Sequence, residues 1–253
     1  MICYLCGARI PDDQPFYNDY EKYVCKPCFL DAPRCFVCRF PGRELGQVEG
    51  LGAECEFCRG NIIAEGMVLA PLLDPLRPFL ASFGLRGDAQ PSVAWDERLT
   101  LRELQTGADL PPMQFIDDFL QFCYPVFYRE GTLHLLRRMS KATLVVYGLI
   151  ALASAEIAAE MGHPHLAGRN EARSFARGWC HWIGAQAAER LGYALEARRL
   201  RKWPELGGQG DFERWVAMAR FNKPPKMVRF FRANLQALLR KSARDDEETR
   251  VAT

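Results

Sequence analysis

Four Cys-x-x-Cys knuckles, Cys3/Cys6, Cys25/Cys28, Cys35/Cys38 and Cys55/Cys58, fall within the first 58 residues and hold eight of the ten cysteines in this 253-residue chain. Two tetrahedral zinc sites need eight soft ligands, and the chain supplies that number with none left over. Within each half, the two knuckles are joined by 18 or 16 residues, enough for a short hairpin. Every ligand position is cysteine, so no coordination position is left for a catalytic water and the sites read as structural. Residues 1–62 have few large apolar side chains. Such a segment cannot hold itself folded on its own core, and metal–thiolate bonds supply the missing free energy.

A disulfide scaffold is the competing use of eight cysteines, but it belongs to an oxidising compartment. The chain opens Met1-Ile2-Cys3 with no basic segment leading into an apolar run, so the expectation is a cytoplasmic protein whose thiols stay free for two Zn²⁺ ions. The segments Cys3–Cys28 and Cys35–Cys58 are loose copies whose first knuckles lie 32 residues apart. That repeat favours sequential pairing, Cys3, Cys6, Cys25 and Cys28 on one ion and Cys35, Cys38, Cys55 and Cys58 on the other. An interleaved cross-brace of the RING, PHD or FYVE kind is the alternative.

Residues 65–243 are long enough for a domain of their own, followed by a polar tail at 244–253 that reads as disordered. Overall charge is nearly balanced, 33 Lys and Arg against 31 Asp and Glu, which implies no global electrostatic partner. Locally, Arg198–Arg244 carries 13 Lys and Arg against three Asp and Glu. Proline spacing allows a short helix near Leu76–Phe83 and an apolar helix at Gln114–Tyr124. A strand-like start at Trp95 leads towards a brief helix reaching Gln105, and Gly131–Met139 suggests another strand. Residues 142–155 carry no charge and, at that length, predict a buried core element rather than a membrane span. Helical periodicity runs through Asn170–Arg201, with Trp179 and Trp182 on its packed face, and two more helices are expected at Asp211–Phe221 and Pro225–Ser242. The fold class is α+β, a small tandem zinc-ribbon module followed by an α-rich domain.

The knuckle arrangement resembles a LIM domain. It departs in having six residues between Cys28 and Cys35, where LIM domains have two, and in having Cys25 at the usual His position. LIM-like modules are generally protein-binding adaptors, so the resemblance implies a protein partner. Downstream, Gly148-Leu149, a helix to Met161, Gly162-x-Pro164-x-Leu166, Glu171 and Trp182 are similar to the framework of the LIM peptidases. These are ubiquitin-dependent regulators of plant organ size, with bacterial relatives, in which zinc-ribbon or LIM modules precede a zincin-like peptidase domain. That resemblance implies a zincin-like fold over residues 65–200 and makes a ubiquitin-like partner an expectation.

The family's chemistry does not carry over. A His-Glu-x-x-His helix places two imidazoles one turn apart on one zinc and a general-base Glu between them. The corresponding positions here read Ala151-Leu152-Ala153-Ser154-Ala155, and only Glu171 survives near the third ligand, so the resemblance implies an inactive pseudo-peptidase. A rebuilt hydrolase site would have to use His163, His165, Glu171 and His181. Cys123 and Cys180 read as small buried hydrophobes, and Gly207-Gly208-x-Gly210 as a turn. A zinc-ribbon nucleic-acid binder using the basic C-terminal helices is the third functional class.

Overall fold

The computed structural model describes residues 1–14, 16–19, 22–48, 52–63, 65–87, 91–97, 105, 123–163, 166, 171–202, 211–220 and 222–251. Most of the helix expected at Gln114–Tyr124, together with His165 and the Gly207–Gly210 turn, lies outside the described residues, and Cys123 and Tyr124 at its end are not helical.

The cysteine repeat is a backbone repeat. In its first half, β1 (Phe16–Asp19) and β2 (Lys22–Cys25) form an antiparallel hairpin that runs into α1 (Lys26–Asp31). In its second half, β3 (Gly46–Val48) and β4 (Gly52–Glu54) do the same before α2 (Glu56–Arg59). Cys25 and Cys55 are the N-cap residues of those short helices. The leading knuckles match residue for residue. The bridge Ile2↔Arg9 recurs as Arg34↔Pro41, and the bond from Cys3 N to Ala8 O recurs from Cys35 N to Phe40 O. The left-handed residue that turns each knuckle is Gly7 (φ 73°) in the first and Arg39 (φ 62°) in the second. Both halves contribute to one small core, in which Leu5, Ile10, Val24, Phe36, Val37 and Phe40 pack around the buried cysteines.

The rest of the chain builds a second core. After α3 (Ala70–Leu73) and α4 (Leu76–Ala81), three strands form a mixed sheet in the order β5 (Ser92–Asp96), β7 (Thr132–Leu136), β6 (Val126–Arg129). The β5–β7 pair is parallel, and β6–β7 is a hairpin closed by Glu130 and Gly131. Both turn residues have positive φ (50° and 81°), the two-residue type I′ geometry that matches strand twist. Along β7, Leu133 and Leu135 are buried, whereas His134, on the opposite face, meets Asp96 of β5.

Helix α5 (Lys141–Glu160) packs on β6 and on α6 (Glu171–Arg190). The uncharged run at 142–155 was expected as a buried core element, and the helix from Gly148-Leu149 to Met161 was implied by the resemblance. The structure makes them one helix, capped where Ser140 Oγ accepts from Thr143 N at 3.0 Å. At 20 residues it is long and apolar enough to cross a membrane, yet most of it is buried inside the fold. It is the core helix.

A correction concerns Asn170–Arg201, where one continuous helical pattern was expected. The chain instead breaks at Gly192 (φ 72°) and restarts as α7 (Ala194–Lys202). Bonds from Tyr193 N to Ala188 O and from Gly192 N to Glu189 O make the break a Schellman cap, which needs a left-handed residue at that point. Helices α8 (Asp211–Ala219) and α9 (Pro224–Val251) complete the domain. The segment expected to be a disordered tail is therefore helical as far as Val251, and no Gly or Pro interrupts the sequence after Pro225. Trp179, Trp182 and Trp215 are packing residues. All three are at most 2% exposed, and Trp179 stacks on Phe231 with centroids 4.6 Å apart.

Candidate metal centres

The fold gathers the eight cysteines into two groups of four, Cys3/Cys6/Cys25/Cys28 and Cys35/Cys38/Cys55/Cys58, with the sulfurs of each group within 4.8 Å of one another. Sequential pairing follows, and the cross-brace is excluded. All eight are free thiols. Cys6 and Cys25 Sγ are 3.9 Å apart, and Cys38 and Cys55 Sγ are 3.7 Å apart. A regular tetrahedron with metal–sulfur bonds of about 2.3 Å has edges of about 3.8 Å, so these spacings fit a tetrahedral ion. A disulfide would need about 2.05 Å. Each cluster can hold a metal ion.

Backbone amides support the thiolates. Cys25 N points at Cys3 Sγ at 3.4 Å, and Phe40 N at Cys38 Sγ at 3.4 Å. Burial opposes ionisation of Cys3, but the amides of Cys25, Cys6 and Leu5 outweigh it and bring that thiol down to about 6. Burial and the neighbouring thiols of Cys25, Cys6 and Cys3 push Cys28 up to about 12. In the second cluster, hydrogen bonds from Cys38, Cys55 and Cys58 lower Cys35, while the neighbouring thiols and burial raise Cys58. Four thiols at this spacing cannot all ionise alone, and a bound cation releases the protons that remain.

The two centres differ in their surroundings. All four cysteines of the second are buried. In the first, Cys6 is exposed and Cys25 and Cys28 are half-buried. The first half of the repeat leans on the second through Tyr4, whose ring lies 6.2 Å from Phe40 and 6.5 Å from Phe57. The second half faces the helical domain. Cys38 and Cys58 help line a cleft of about 880 Å³ that is closed on the far side by the starts of α5 and α7.

Beside that cleft lies a buried polar network. Arg199, 2% exposed, donates to the carbonyl of Val37 inside the Cys35–Cys38 knuckle. It also donates to Glu196 Oε1 at 2.9 Å. The same oxygen accepts from Thr143 Oγ1 of α5 at 2.9 Å. Sequence reasoning passed over Glu196 and Arg199, because an acid and a base three residues apart on a helix look like any solvent-exposed pair.

Of the expected histidine–glutamate cluster, the described members His163, Glu171 and His181 are each engaged elsewhere. Burial holds His181 neutral, its pKa lowered to about 4. Nε2 lies 2.9 Å from Leu200 O, and Nδ1 lies 3.1 Å from Tyr124 Oη. His163 lies against the Arg173 guanidinium at 3.1 Å. Glu171 is exposed and paired with Lys241 Nζ at 3.0 Å. Among the described residues, the two cysteine groups are the metal-competent clusters. Ala151, Leu152 and Ala153 are buried in the core. Cys123 and Cys180 are also buried, and burial pushes the Cys180 thiol up to about 12, as suits small packing residues rather than nucleophiles.

Part of the C-terminal positive charge is paired with acids, either on other elements or within the same helix. Arg201 meets Glu189 and Arg232 meets Glu160, while Arg199 is buried against Glu196. Comparison of the chain with protein-family models, curated proteins and solved structures finds no match.

Proposed function

We propose that this chain is a zinc-stabilised, non-catalytic protein-interaction protein that works in a reducing, cytoplasmic setting. One observation carries the reading. The fold gathers eight cysteines into two complete tetrathiolate sets, and neither set leaves a coordination position for substrate or water. Each zinc closes a knuckle–hairpin–knuckle unit whose apolar core is too small to stand alone.

The domain behind the zinc module is an inactive relative of the LIM-linked peptidases. In support of this, the helix aligned with the family's His-Glu-x-x-His carries Ala151, Leu152, Ala153, Ser154 and Ala155 at the motif positions. The remaining acid, Glu171, is turned to Lys241 at the surface. The partner is a protein, and the resemblance points to ubiquitin or a ubiquitin-like fold.

Metal analysis of the purified full chain, run beside a hydrolysis assay on casein and polyubiquitin, tests the reading. The expected result is two zinc ions per chain and no cleavage. A third tightly held zinc accompanied by cleavage would overturn it. Titration of the isotope-labelled protein with ubiquitin tests the partner class, and localised resonance shifts are expected.

A further inference from the structure

The two metal centres sit in unlike surroundings, and the second is wired into the helical domain. The Cys35-Phe36-Val37-Cys38 knuckle presents the Val37 carbonyl to Arg199 of α7. Arg199 passes the interaction to Glu196 Oε1, which also holds Thr143 Oγ1. Thr143 Oγ1 lies 2.8 Å from Ser140 Oγ, the N-cap of α5. Every side chain in this relay is at most 9% exposed. Glu196 Oε2 has no hydrogen-bond partner, so the buried carboxylate depends on Arg199 and Thr143 at its other oxygen.

Two backbone bonds flank the relay, Ile63 N to Met139 O at 2.9 Å and Lys141 N to Asn61 O at 2.8 Å. Leu195 of α7 packs against the knuckle core. A buried arginine that loses its acceptor is strongly destabilising, because the uncompensated polar groups stay out of water.

We propose that Arg199 and Glu196 are positioning residues of the second metal centre. They hold the Val37 carbonyl, and with it the Cys35–Cys38 loop, in the conformation that binds metal. Coupling of this kind is reciprocal. Metal at Cys35, Cys38, Cys55 and Cys58 therefore keeps α7 docked on the start of α5, while metal at the first centre does not. The inference rests on the reading that both clusters hold zinc.

The test uses the full zinc-loaded chain challenged with a chromogenic chelator, with metal release followed in time. In the wild type, the exposed first centre gives up its ion quickly and the buried second centre slowly. Arg199→Met is expected to speed the slow release about 10-fold, within the range of site-to-site couplings, and to leave the fast one unchanged. Arg199→Lys, which keeps a cationic donor, should restore most of the difference. With cobalt in place of zinc, the sulfur-to-cobalt absorption should change for one of the two ions only.

An Arg199→Met protein that is folded by circular dichroism and shows both wild-type release rates would overturn the inference. So would equal acceleration of both phases. If Arg199→Met does not fold, hydrogen exchange on two ligand variants decides. Cys58→Ser should expose the amides of residues 194–202, whereas Cys6→Ser should leave them protected, and equal protection in both would overturn the coupling. A wild-type chain that binds no zinc would instead defeat the metal reading itself.

Discussion

Lowering the pH from 7 to 4 is expected to cost the wild-type protein about 3 kcal/mol of unfolding free energy that a His181→Gln variant does not lose. The imidazole is fully buried. Its Nε2 faces the Leu200 carbonyl at 2.9 Å, and a carbonyl only accepts, so Nε2 carries the proton. Nδ1 then accepts from Tyr124 Oη at 3.1 Å. Burial lowers the pKa from 6.5 to about 4, against a smaller opposing pull from the Leu200 carbonyl. The unfolded chain takes up a proton near 6.5, while the native chain refuses it until near 4.

Stability from this group is therefore complete above pH 6.5 and is lost as the pH falls towards 4, at up to about 1.4 kcal/mol per pH unit. Urea unfolding of both proteins at a series of pH values, with zinc present throughout, measures it. Protonation of the metal thiolates affects both proteins alike and cancels in the difference. The variant starts about 1 kcal/mol lower for the lost Tyr124 hydrogen bond. Wild-type and variant curves that stay parallel from pH 7 to pH 4 would refute the buried, neutral assignment and reopen His181 as a ligand.

Two further outcomes follow from the packing. Trp179→Ala removes a fully buried ring that stacks on Phe231 and lies 4.9 Å from Trp182. It should cost about 3–5 kcal/mol in chemical denaturation, and a loss under about 1 kcal/mol would contradict the aromatic core. Gly192→Ala places a side chain at φ 72° with nothing within 4 Å of its Cβ, so the cost is backbone strain alone. About 1 kcal/mol is expected from thermal unfolding, and no change would contradict the cap between α6 and α7.

The cysteine module was legible because its constraint is local. Cysteine spacing alone located both clusters and both hairpins, and the 32-residue offset between leading knuckles carried over to the bridges and the left-handed turn residues. The core role of residues 142–155 was legible for a similar reason, since an uncharged run has few other places to go. The α6–α7 break was missed although Gly192 signalled it, because apolar periodicity continues across the turn. The latch of Glu196 and Arg199 was beyond reach. Their burial depends on the docking of a knuckle more than 150 residues earlier in the chain, and nothing in Ala-Leu-Glu-Ala-Arg-Arg-Leu records it. The same holds for His181, whose metal-free role is set by Tyr124 and Leu200.

Zinc-edge X-ray absorption on the full chain, combined with its metal content, tests the central claim most directly. The account requires two zinc ions per chain, each surrounded by four sulfurs at about 2.3 Å with no nitrogen or oxygen ligand. Nitrogen or oxygen in the zinc coordination shell, or cysteines recovered as disulfides with less than two zinc bound, would contradict it.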